Sequence, residues 1–164
     1  MVLYIATGEI IWESNQFSGD DFDYVAAPAI SDMDHDGHAE IVVGRVILNS
    51  DGTLRGVGTA GRGSFGVNVA GLSEGALPAI ADLDLDGTEE VIVGNAIYRP
   101  SGDPLWVDFT QDDGMVSVAN LDDDEFGEFV AVSYNTVRAH DTSGSILWGP
   151  ITLESASITS PAAI

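Results

Sequence analysis

The sequence predicts an all-β fold built from a repeated unit of four short strands. Three observations carry this. An acidic nine-residue loop recurs at Asp32-Met-Asp34-His-Asp36-Gly37-His38-Ala-Glu40, at Asp82-Leu-Asp84-Leu-Asp86-Gly87-Thr88-Glu-Glu90 and, in degenerate form, at Asn120-Leu-Asp122-Asp-Asp124-Glu-Phe126-Gly-Glu128. Each loop sits between short apolar runs such as Pro28-Ala-Ile and Ile41-Val-Val, whose β-branched residues favour strands. A hairpin signal, a glycine turn between apolar pairs, follows every loop.

Taken in order, residues 2–13 read as a hairpin turning at Ala6-Thr7-Gly8 and ending at Trp12. Residues 1–25 are expected to be the closing hairpin and linker of a preceding unit, 26–75 repeat 1, 76–114 repeat 2, 115–156 repeat 3, and 157–164 the start of a further repeat. The hairpins of the repeats turn at Asn49-Ser50-Asp51-Gly52, Pro100-Ser101-Gly102 and Asp141-Thr142-Ser143-Gly144. Trp12, Trp106 and Trp148 each stand four residues after a turn glycine; Gly56 takes that place in repeat 1. Aromatics at a fixed position of a repeat read as packing between sheets rather than as a sugar-stacking row. The loops start 50 and then 38 residues apart, and a glycine-rich insertion over 56–75 absorbs the difference. Within it Gly56-Val-Gly58-Thr-Ala-Gly61 matches a dinucleotide fingerprint, but no helix signal follows, so it reads as a loop. Asp20-Asp21-Phe22-Asp23 and Gln111-Asp112-Asp113 read as solvated turns. Four strands per unit is one blade of a β-propeller, so a partial propeller of about three blades, with incomplete blades at both ends, is expected.

Oxygen-bearing side chains at loop positions one, three, five and nine suggest a cation cage. Carboxylates so crowded repel one another unless a positive charge sits among them, and calcium, a hard ion with six to eight oxygen ligands, suits the set. Met33, Leu83 and Leu121, at position two, are expected to point into the core. Gly37 and Gly87, at position six, allow a sharp turn. An EF-hand also begins Asp-x-Asp-x-Asp-Gly but needs a glutamate at position twelve, where Val43 and Val93 stand. The repeat resembles the FG-GAP or VCBS type of calcium-binding repeat found in integrin-α-like propellers. The resemblance implies calcium ligands at Asp32, Asp34, Asp36 and Glu40; at Asp82, Asp84, Asp86 and Glu90; and at Asn120, Asp122, Asp124 and Glu128. It also implies carbonyl ligands from His38, Thr88 and Phe126. The third loop departs from the pattern, with Asn120 for Asp and its glycine displaced from position six to Gly127, and is expected to bind more weakly.

Composition narrows the function. The formal net charge is −22, and 14 of the 27 acidic residues fall within the three loops, which favours metal loops over a generally acidic surface. Only five cations, all Arg, make nucleic acid an unexpected partner. No apolar run approaches the roughly 20 residues needed to span a bilayer, so membrane insertion is not expected. Cysteine is absent, which excludes disulfides and thiolate metal sites. His35 and His38 read as solvent-facing, and no nucleophile motif is present. No catalytic set stands out, and the resemblance implies an extracellular setting, so the expected function is non-catalytic: a secreted, extracellular or cell-surface propeller segment that displays loops for adhesion or for a protein or glycan ligand, or that meets the remaining blades of the same propeller. Two alternatives are a polysaccharide lyase, which resembles this repeat in some families, and a structural subunit of an extracellular assembly.

Overall fold

The computed structural model describes residues 2–3, 7–13, 27–61, 77–133 and 135–153. The expected turn at 20–23, most of the glycine-rich insertion and the final repeat start at 157–164 lie outside them. Among the described residues there is no helix, hence none long and apolar enough to cross a membrane.

Three four-stranded antiparallel sheets follow one another, each a meander in chain order. The first contains β3 (Pro28–Ser31), β4 (Glu40–Val43), β5 (Val46–Leu48) and β6 (Leu54–Val57). The second contains β7 (Ala79–Ala81), β8 (Glu90–Ile92), β9 (Ala96–Tyr98) and β10 (Pro104–Val107). The third contains β11 (Met115–Ala119), β12 (Glu128–Ser133), β13 (Thr136–His140) and β14 (Ile146–Thr152). A two-stranded hairpin, β1 (Val2–Leu3) with β2 (Ile10–Trp12), precedes them. The turn glycines Gly8, Gly52, Gly102 and Gly144 all have φ between 72° and 84°, which a Cβ disfavours.

The first strands run side by side, β3 next to β7 and β7 next to β11, and Leu77 bridges Met115. Strand alternation then gives the second sheet two buried faces. Val91, Ala96 and Tyr98 join Met33, Val42 and Ile47 in a core with the first sheet. Ile92 and Ile97 face the other way and meet Val116, Phe129 and Ala131 of the third.

The tryptophan position is a packing device. A Cβ on Gly52 would overlap the Trp12 ring, and one on Gly144 would overlap Trp106. Trp12 Nε1 also donates to Ser50 O at 2.9 Å. Where Gly56 replaces tryptophan, its backbone lies directly on Ser101 and Gly102. In these three cases the outer strand of one sheet rests on the outer turn of the next.

Two expectations need correction. Asp113 is not a solvated turn residue; it is buried between sheets, and its carbonyl accepts from the Ser133 hydroxyl. Leu121 does not follow Met33 and Leu83 into a core: they are 0% and 1% exposed, whereas Leu121 is 36% exposed, because no described sheet covers that face of the third.

Candidate metal centre

Each acidic loop joins the first strand of a sheet to the second. The strand register pairs Ser31 with Glu40, Ala81 with Glu90 and Ala119 with Glu128, so the position-nine glutamate is also the first residue of the second strand. All three are buried, and each uses Oε2 to accept the position-two N–H: Met33 at 3.0 Å, Leu83 at 2.9 Å and Leu121 at 2.6 Å. The glutamate thus closes the loop from beneath, and a buried carboxylate held by an N–H is far less costly than a bare one.

The aspartates shape the rim. Position five accepts the position-seven N–H at 2.8 Å in all three loops: Asp36 from His38, Asp86 from Thr88 and Asp124 from Phe126. Position three accepts the position-five N–H, at Asp34, Asp84 and Asp122. Position one accepts the position-six glycine N–H, Asp32 from Gly37 at 2.9 Å and Asp82 from Gly87 at 3.0 Å. Those glycines have φ of 91° and 90°, and His35 and Leu85 at position four are left-handed as well. The third loop has neither feature; Asn120 Nδ2 donates to Asp124 O at 2.6 Å instead. Its glycine stands at position eight instead: Gly127 N donates to Leu83 O at 3.0 Å, and a Cβ there would stand 3.2 Å from the Leu83 side chain.

That last contact belongs to a series. Glu89 N donates to Met33 O at 3.0 Å, so position eight of the second and of the third loop bonds the position-two carbonyl of the loop before. The acidic loops are therefore chained across sheets.

Carboxylate oxygens of Asp32, Asp34 and Asp36 come within 4.8 Å of one another, as do those of Asp82, Asp84 and Asp86. In the third loop the set is Asp122, Asp124 and Glu128. Glu40 and Glu90 stand outside the first two sets, although all three position-nine glutamates accept the position-two N–H alike. The donors are oxygens alone, and Asp32 Oδ1 is buried without a hydrogen-bond partner, so the residues fit a hard divalent cation. His35 and His38 are exposed, as expected.

Sequence reading missed Arg55. It is ion-paired with Asp34 and reaches Glu40 Oε1 at 2.8 Å, so the first loop carries a cation of its own. Its hydrogen bond holds the Asp34 carboxyl below the usual range and raises the guanidinium pKa. In the second loop burial pushes Glu90 up to about 7, and the charges of Asp84, Asp86 and Asp82 add to that. The only signal for Arg55 is its place: the β5–β6 register slips between Ile47 and Leu48, and Arg55 is the extra residue on β6. Leu105 holds the same place in the second sheet.

The fold and its loops thus define a class: an all-β repeat protein with chained acidic loops at corresponding places in successive sheets. No family model and no curated protein matches the chain. Among solved structures, the crystal structure of the V. cholerae biofilm matrix protein Bap1 matches with a TM-score of 0.61 at 23% identity. The match covers 77% of this chain and 20% of that one, so the likeness is one of fold, to about a fifth of that protein.

Proposed function

We propose that this chain is a non-catalytic, calcium-stabilised segment of a β-propeller in an extracellular protein, with a structural or adhesive role. The observation that carries the reading is the chain of loops: three oxygen clusters, the second and third bonded through position eight to position two of the loop before. A cation held by Asp82, Asp84 and Asp86 offsets their repulsion and orders the loop whose backbone bonds Met33 O and receives Gly127 N. Metal binding then stiffens contacts between sheets. The side-by-side first strands support blades arranged about an axis, and the likeness to a biofilm matrix protein supports the extracellular setting. Extracellular modules bind calcium at about 10⁻⁴ to 10⁻³ M, and loops this exposed suit that range. The third loop, with Asn120 turned to its own backbone, is the weakest site.

Calorimetric titration with calcium and with magnesium, together with melting in calcium and in chelator, tests this. Calcium is expected to bind and to raise the melting temperature; Asp84→Ala removes more of that gain than Asp122→Ala. Absence of binding, or an unchanged melting temperature, would overturn the proposal.

A further inference from the structure

The bulge that carries Arg55 recurs in each four-stranded sheet. Leu54 and Gly56 pair with Leu48 and Ile47, Pro104 and Trp106 with Tyr98 and Ile97, and Ile146 and Trp148 with His140 and Ala139. One residue of the fourth strand is extra each time: Arg55, Leu105 and Leu147. Of these three sheets, the first alone has a guanidinium at this place.

In the first sheet β6 lies two strands from β4, so Arg55 spans β5 to reach Glu40 Oε1 at 2.8 Å and to pair with Asp34. Glu40 divides its oxygens, Oε2 to Met33 N and Oε1 to Arg55. Asp34 is held twice over: it belongs to the oxygen set with Asp32 and Asp36, and it binds Arg55. The guanidinium nonetheless leaves the loop incomplete. Asp32 Oδ1 is buried without a hydrogen-bond partner, whereas its counterpart Asp82 Oδ1 accepts Asp86 N at 3.1 Å.

Two effects then weaken cation binding at the first loop. Arg55 must give up Asp34, and its charge already offsets part of the repulsion that an ion would relieve. Resting on the calcium reading above, we infer that Arg55 competes with calcium for Asp34, so that the first loop fills only at concentrations at least about tenfold above those that fill the second. The second loop is then a standing structural site and the first a responsive one. Filling the first frees a cation on β6 beside Gly56, where the first sheet meets Ser101 and Gly102 of the second.

Phenylglyoxal labelling of the unaltered chain across a calcium titration, read at each arginine by peptide mass spectrometry, tests this. The reagent attacks neutral guanidine, and pairing with Asp34 raises the Arg55 pKa, so paired Arg55 reacts slowly. Its labelling is expected to quicken at least about fivefold as calcium rises, while exposed Arg99 keeps its rate. Calorimetry should resolve a tighter phase that Asp84→Ala removes and a looser one that Arg55→Leu tightens by about tenfold. Constant Arg55 labelling up to saturating calcium, or a looser phase unmoved by Arg55→Leu, would overturn the inference. If Asp84→Ala still removes the tighter phase, the calcium reading survives that failure. Absence of any calcium binding would overturn both.

Discussion

Arg55 Nη1 lies 2.8 Å from Glu40 Oε1, and the same guanidinium is ion-paired with Asp34, so one side chain bonds two carboxylates of the first acidic loop. Leu105 occupies its place in the second sheet, and there Glu90 has no such partner among the described residues. Two loops of the same pattern therefore differ in charge balance: the first carries an internal cation, and among the described residues the second has none.

Replacing Arg55 by the leucine of the second sheet makes the first loop like the second. Glu40, 1% exposed, loses its charged partner, and a buried unpaired carboxylate costs about 2 kcal/mol or more. In chelator, Arg55→Leu is expected to melt about 5 °C below the parent. In calcium most of that loss returns, and calorimetry shows tighter binding at the first loop. A variant that melts lower by the same amount in both conditions would assign Arg55 to packing alone.

The second loop makes the cation-free protein sensitive to pH. Burial raises Glu90 from an unperturbed 4.5 to about 7, so the folded state takes up its proton more readily than the unfolded state. The resulting stability is complete below about 4.5 and is lost as pH rises through about 7. In chelator the melting temperature is thus expected to fall between pH 5 and 8, and Glu90→Gln, which keeps an acceptor for Leu83 N, flattens the profile. An unchanged profile in that variant would place the dependence elsewhere.

The readable and unreadable parts of this architecture divide along physical lines. Asp82, Asp84 and Asp86 announce their loop because alternate carboxylates over five residues have few other uses, and their glycine must turn sharply. The hairpins are equally legible from turn glycines and flanking apolar pairs. Glu90 is legible as part of the pattern but not in its role, since its bond to Leu83 N depends on a strand register formed only on folding. Arg55 is separated from Asp34 by 21 residues and reaches it through a bulge, which composition does not reveal. The displaced Gly127 reads as decay of a motif; in space it lies against Leu83, to whose carbonyl its N–H donates.

Arg138 gives a third prediction. Buried on β13, it donates to Gly94 O at 2.9 Å in the second sheet, to Asp112 O in the connection, to Ser133 Oγ at 3.1 Å and to His140 Nε2 at 3.1 Å. His140 Nδ1 lies 2.7 Å from Gly144 O, so with Arg138 donating to Nε2 the neutral Nδ1–H tautomer is the one that fits. Arg138→Met leaves two carbonyls without that donor and is expected to cost about 3 kcal/mol. Burial lowers the His140 pKa below 6.5, so its stabilisation is present above 6.5 and lost as pH falls below that value. His140→Gln should remove that acid sensitivity. Denaturant melts at pH 7 and pH 5 check both.

Turn glycines supply a comparison in which backbone strain cancels. Gly8 and Gly144 have similar φ, 72° and 81°, so alanine pays a comparable conformational penalty, about 1 kcal/mol, at either. Their surroundings differ. A Cβ at Gly8 meets nothing within 4 Å among the described residues, whereas one at Gly144 would sit inside the Trp106 ring. Trp106 cannot yield freely, because it also packs on Phe129, with ring centroids 6.1 Å apart, and on His140, at 5.2 Å. Displacing it opens the core between the second and third sheets. Gly144→Ala is therefore expected to cost about 2 kcal/mol more than Gly8→Ala, which separates their melting temperatures by about 5 °C. Equal losses would mean that left-handed backbone, not the seat for tryptophan, is what glycine provides at these turns.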